Sequence, residues 1–241
     1  MMLQLALSIS SHAPSLRRSK EIAEIRTHAL SVFDSMRKQI LRDPHVKGSP
    51  PAIEDPEFLF GGYSWVKKKF ELWHIHYRAS ESMYIAEPAP YAYFSPSGNH
   101  VEIRTKKRAP RKHLIGQVAF AGDQSDLARR HLRDILTQQY LSSPARDKID
   151  MQPFEVLRDM LRDPDRSHTI GGAPQLAKVY QYMQAVPFAV YWPDKKSGKK
   201  YLQGRRCVGY ERLDVKAVDP DRPAWKRSEG EELGEQTYET K

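Results

Sequence analysis

Two histidines stand in the pattern that metal sites use. His74 and His76 lie two apart in the run Phe70-Glu71-Leu72-Trp73-His74-Ile75-His76-Tyr77. In a strand, alternate residues share a face, so the imidazoles can converge on one ion if a third ligand joins them. No cysteine or carboxylate cluster with metal-ligand spacing accompanies them, and packed or edge histidines are the simpler account. Cys207 follows Arg206, a flank that can lower a thiol pKa, but no histidine base is matched to it. Ile170-Gly171-Gly172 lacks the Lys and Ser/Thr of a phosphate loop. Asp123 precedes a helical pattern and reads as a cap before it reads as an acid. No nucleophile elbow is present. These residues predict no catalytic centre, no metal and no cofactor.

The remaining chemistry is electrostatic. Arg104, Lys106, Lys107, Arg108, Arg111 and Lys112 crowd into the ten residues Arg104 to His113. Clustered cations release counterions when they meet phosphates, and the nearby Tyr91, Tyr93 and Phe94 could stack on bases. The alternative is a solvated insertion. The net charge of +9 suits weak contact with nucleic acid or another polyanion, and a homo-oligomer also stays open.

The elements that hold these residues read as follows. Ser19 can cap an amphipathic helix to about Leu41, with Ile22, Ile25, Ala29, Val32, Phe33, Met36 and Ile40 on one face. Asp55 to Tyr77 reads as a hairpin of two strands, kinked at Gly61-Gly62 and carrying three lysines at its tip. Large residues on both sides of the second strand predict cover on both faces. Ser82 to Ala89 reads as a strand, 90–113 as an irregular basic insertion, and Leu114 to Ala121 as a strand. A helix follows from about Leu127, capped by Asp123, Ser125 or Asp126, and another spans Pro153 to Leu161. A tight turn at Gly171-Gly172 leads to strands Leu176–Met183 and Val186–Trp192. Lys200–Tyr210 and Arg212–Val218 form a last ribbon, and 221–241 reads as a disordered charged tail. Helices and strands come in blocks, which predicts layered α+β.

The apolar content of 39% supplies a core. One cysteine rules out an internal disulfide framework and fits a reducing compartment. Met1 to Ser11 lacks the positive start and cleavage site of a signal peptide, and no run reaches a membrane span of about 20 apolar residues. The expectation is a cytoplasmic protein with no membrane partner.

Several of these stretches, in this order, resemble the proteasome-like N-terminal-nucleophile hydrolases. Phe58 to Tyr63 (FLFGGY) and Glu71 to Tyr77 (ELWHIHY) look like that family's Gly-Gly-Tyr strand and the aromatic strand after it. Val118 to Asp123 running into the Leu127 helix is similar to its strand, glycine turn and first packed helix. Ile170-Gly171-Gly172 before LAKVYQYM and VPFAVYW is similar to its Gly-Gly turn and strand pair. The likeness spans about Leu3 to Trp192. It implies an αββα sandwich of four layers with antiparallel sheets, one domain over 1–220, and Gly61, Gly62, Gly122, Asp123, Gly171 and Gly172 at turns near the family's site. The implied parent reaction is amide-bond hydrolysis.

Departures accompany the matches. The family's nucleophile is a Thr, Ser or Cys at the start of its first strand, with its own α-amine as base. Here the chain reads Met1-Met2, and its first element resembles the end of a helix inside the fold. The nucleophile strand and its tuning Lys and Asp have no counterpart. Asp123 stands where a small hydroxyl residue is frequent, Ile170 where a Ser precedes Gly-Gly, and Arg104 to His113 is inserted. The expectation is an incomplete sandwich, truncated or degenerate, inactive as this chain, with one core face left uncovered.

Overall fold

The computed structural model describes residues 20–42, 56–105, 114–122, 124–143, 148–163, 170–181 and 184–223. The apolar stretch Met1 to Ser11 and the expected cap Ser19 lie outside them. Where the sequence reading has one domain, the chain divides into two compact units: 1–149 with 177–186, and 150–176 with 187–241.

In the first unit, α1 (Ile22–Arg42) buries Ile22, Ile25, Ala29 and Phe33. Steps of three and four residues put these side chains on one stripe. Ile40, expected on that stripe, is half exposed in the last turn. The stripe lies on a sheet of order β1-β2-β3, made of β1 (Phe58–Ser64), β2 (Lys69–Arg78) and β3 (Met83–Pro88), antiparallel throughout. Ala29, Phe33, Ile75 and Tyr84 form its core. Phe33 stacks on Phe58 with ring centroids 4.7 Å apart, while Arg26 and Arg37 lie over Trp73 and Tyr77. Two polar ties fasten the helix. Asp34 Oδ1 accepts the Tyr84 N–H at 2.7 Å, on the open side of edge strand β3. The fully buried Ser64 hydroxyl donates to Glu21, whose carbonyl accepts the first helical N–H groups.

The Gly61-Gly62 kink is not found. The ladder runs unbroken from Phe58 to Ser64, and neither glycine has a positive φ. Both serve close approach. A Cβ on Gly62 would sit 2.7 Å from Ile22 Cδ1, and one on Gly61 would sit 2.6 Å from Leu72 Cδ1. The missing side chains let α1 settle on β1 and let Leu72 lean across the strand pair.

The expected irregular insertion is also corrected. Residues 91–104 form the hairpin β4 (Tyr91–Ser97) and β5 (His100–Arg104), and β6 (Gly116–Ala119) pairs with the other edge of β4. Pro96 fits because β6 pairs only with Tyr91 to Phe94, so β4 has one neighbour at that point. Helix α2 (Ser125–Ser142) covers this sheet with Leu132 and Leu136, and Thr137 Oγ1 accepts the Val101 N–H at 3.0 Å. The residue ahead of α2 is Gln124, with no side-chain cap bond. Ser125 and Asp126 lie inside the helix instead of capping it.

In the second unit, α3 (Gln152–Arg162) follows Met151, with Pro153 in the first turn where a missing N–H costs nothing. β8 (Gln184–Tyr191), in this unit from Pro187 on, carries β9 (Lys200–Leu202), β10 (Arg205–Arg206) and β11 (Ala217–Val218) into one sheet, while its first residues and β7 (Leu176–Tyr180) from Ala177 on belong to the first unit. Phe154, Phe188, Val190 and Val218 pack the core of the second unit. The β8–β11 pairing is parallel, against the expectation of antiparallel sheets, which the β1-β2-β3 and β5-β4-β6 sheets and the β8–β9 and β9–β10 pairings meet. Asp221, assigned by sequence to the tail, belongs to this unit. Arg162 Nη1 donates to its carboxylate at 2.7 Å, and Arg158 Nη1 donates to Pro220 O at 2.7 Å.

Candidate functional site

Strand β2 exposes the feature that most resembles a site. Its residues Trp73 and Ile75 are buried toward α1. The opposite face carries Phe70, Leu72, His74 and His76, and the register adds Leu59, Gly61 and Tyr63 from β1 and Met83, Ile85 and Glu87 from β3. This face was expected to be covered. It is open among the described residues: Phe70 is 54% exposed, Met83 42% and Leu59 38%. Tyr63 meets Phe70 edge to face at 5.2 Å. It is an apolar surface of aromatic and aliphatic groups with a polar row along one side.

That row contains the two histidines. The rings of His74 and His76 stack with centroids 5.0 Å apart, and His74 Nε2 lies 3.1 Å from Glu57 Oε2. His76 Nδ1 is buried without a hydrogen-bond partner among the described residues. Arg78 bridges Glu81 and Glu87 at the end of the row. The rings face each other instead of a shared point. Among the described residues no three His, Cys, Asp or Glu side chains gather closely enough to hold a metal ion.

Hydroxyl–carboxylate pairs are the interactions that sequence reasoning missed. Ser64 donates to Glu21 and accepts the Lys67 N–H at 3.0 Å, but it is fully buried and no substrate could reach it. Ser97 donates to Glu102 at 2.7 Å. That bond, with Arg104 beside it, holds the Glu102 carboxyl below the usual carboxylate range. A carboxylate so stabilised is a weak base. Neither pair includes a histidine, and both act as structural clamps. Their partners lie 43 and 5 residues apart, and no local pattern marks the first.

The turn positions named by resemblance are not gathered by any described interaction. Gly61 and Gly62 lie inside β1. Gly122 and Gly172 take positive φ values of +99° and +82°, as turns require, and a Cβ on Gly122, Gly171 or Gly172 would meet nothing within 4 Å. Asp123 lies outside the described residues, as do Lys106, Lys107, Arg108, Arg111 and Lys112. Arg104 is described, at the end of β5, with Nη2 2.9 Å from Glu102 Oε2. The stacking platform fails: Phe94 and Tyr93 are buried in the β4 core, and Tyr91 is half-buried. Cys207 is a half-buried free thiol whose N–H donates to Lys200 O at 2.8 Å. No helix among the described residues is long and apolar enough to cross a membrane.

Compared with family models, curated proteins and solved structures, the chain matches none.

Proposed function

We propose that this chain is a relative of the proteasome-like N-terminal-nucleophile hydrolases and that, as this chain, it uses the fold as a binding scaffold and hydrolyses no amide bond. The carrying observation is the unequal cover of the β1-β2-β3 sheet. One face is sealed by α1, and the other is apolar and helix-free among the described residues. An inner layer of an αββα sandwich has this character, because its second face belongs to the opposing sheet. The element order adds support: helix, Gly-Gly-Tyr strand, aromatic strand, then a strand entering a helix. The described hydroxyls that meet carboxylates are clamps, which supports a chain without hydrolytic chemistry.

The test has two arms. An experimental structure should find a second antiparallel layer on the Leu59, Phe70 and Met83 face. A face left to solvent in that structure counts against the sandwich. Fluorogenic peptides should show no turnover, and turnover that a β-lactone abolishes would overturn the inactive reading.

A second reading, polyanion binding through Arg104 to Lys112, is favoured by one observation. Arg104 pairs opposite Tyr93 and Gly116 opposite Phe94, so the strands that flank the basic connection meet β4 at adjacent residues. Replacing all six cations of that stretch with serine should weaken duplex DNA binding and flatten its salt dependence, by about 0.9 in log–log slope for each phosphate no longer neutralised. Unchanged affinity ends this reading.

A further inference from the structure

The second unit contains a cleft of about 690 Å³, lined by Arg162, Asp194, Lys195, Lys196, Asp219, Asp221 and Arg222 around Pro193. Three segments meet there. One is the C-terminal end of α3. The other two leave the carboxyl ends of β8 and β11, which run parallel.

The charges of the lining are not equivalent. Each acidic side chain already has a protein donor. Asp194 Oδ1 accepts the Ser197 N–H at 2.7 Å, Asp219 Oδ1 accepts the Asp221 N–H at 3.0 Å, and Asp221 Oδ1 accepts Arg162 Nη1 at 2.7 Å. These bonds stiffen the two turns that carry the cations. Arg162 is fully engaged, with Asp221, Pro193 O and the Trp192 ring. Lys196 and Arg222 are different. Both are solvent-accessible, and neither makes a side-chain hydrogen bond or close ion pair among the described residues. The cleft therefore presents two exposed cations that no hydrogen bond or close ion pair holds among the described residues, beside three carboxylates that each accept a protein N–H. With Arg162 and Arg158, Lys196 is also one of the cations that lower the Asp221 carboxyl. The cleft volume exceeds what a lone tetrahedral anion needs and falls within the range of small-molecule sites, about 300–1,000 Å³.

We propose that this cleft binds an organic phosphate, with Lys196 and Arg222 on the phosphoryl oxygens and the space beside Pro193 taking the organic body. Guanidinium and ammonium groups suit a phosphoryl dianion as a fork and a point charge. The inference does not depend on the hydrolase resemblance.

Calorimetric titration of the full chain with orthophosphate and, separately, with adenosine monophosphate tests it. Both should saturate, the nucleotide about tenfold tighter, because only it fills the cleft. Lys196→Ala with Arg222→Ala should weaken both by about tenfold or more. Lys67→Ala with Lys69→Ala, in the other unit, should leave both unchanged, and Arg222→Lys should retain most of the affinity. The variant positions are solvent-accessible, and an unaltered circular dichroism spectrum verifies folding. Absence of saturation, a nucleotide no tighter than orthophosphate, or the same loss from the distant lysine pair would each overturn the proposal.

Discussion

The two faces of the β1-β2-β3 sheet are built from the same strands and solve different problems. Toward α1 the strands bring Phe58, Phe60, Trp73, Ile75, Tyr77 and Tyr84, and the helix answers with Ala29 and Phe33. Rings stack, two arginines cap the aromatic edge, and Asp34 satisfies an edge amide. On the other face, aromatics and aliphatics of similar size stand half exposed beside two stacked histidines. Large apolar side chains are therefore not sufficient to make a core. The difference is the second element, which supplies matched volume and the polar ties that let a sheet edge be buried without orphaned amides.

The strongest way to break this comparison is to remove volume from the sealed face. Phe33→Ala deletes a ring that is 1% exposed and stacked on Phe58, and it should cost about 3–5 kcal/mol in denaturant unfolding. A cost under about 1 kcal/mol would mean that α1 does not seal the sheet in solution. Next comes the polar tie. Asp34→Ala leaves the Tyr84 N–H without its acceptor, and stability should fall by about 1–3 kcal/mol. Hydrogen exchange at Tyr84 is the direct readout, and unchanged protection there would mean that Asp34 does not tie the helix to the sheet.

How much of this is legible in sequence follows the range of the forces involved. The Ile22 to Phe33 stripe and the alternation of β2 are readable, because 3.6 and 2.0 residue periods are local. The α3 span is readable for the same reason, helped by Pro153. What covers each face is not readable, since it depends on packing between distant segments. Gly61-Gly62 suggests a kink because glycine suggests turns. Here it answers the bulk of Ile22 and Leu72, which alternation cannot reveal. Pro90 and Pro96 suggest irregular structure, yet β4 tolerates Pro96 where it lacks a second neighbour. The cleft is invisible in sequence because Arg162, Lys196 and Arg222 are scattered along the chain and meet only in the fold. Ser64 and Glu21, 43 residues apart, escape for the same reason.

The smallest expected effect is the most telling. Met83 lies on the open face of edge strand β3, opposite Arg78 and 42% exposed. If that face is bare in solution, Met83→Lys gains solvation about as readily as it gives up packing. Its new ammonium stands opposite Arg78, whose charge is already offset by Glu81 and Glu87. Stability should then shift by no more than about 0.5 kcal/mol. If a second layer covers the face, the same lysine must be desolvated beside His76 and Ile85, and the destabilisation should exceed about 2 kcal/mol. Denaturant unfolding of this one variant therefore distinguishes a bare sheet from the inner layer of a sandwich. Reading it beside Phe33→Ala shows whether the two faces differ in kind or only in how much of their cover is intramolecular.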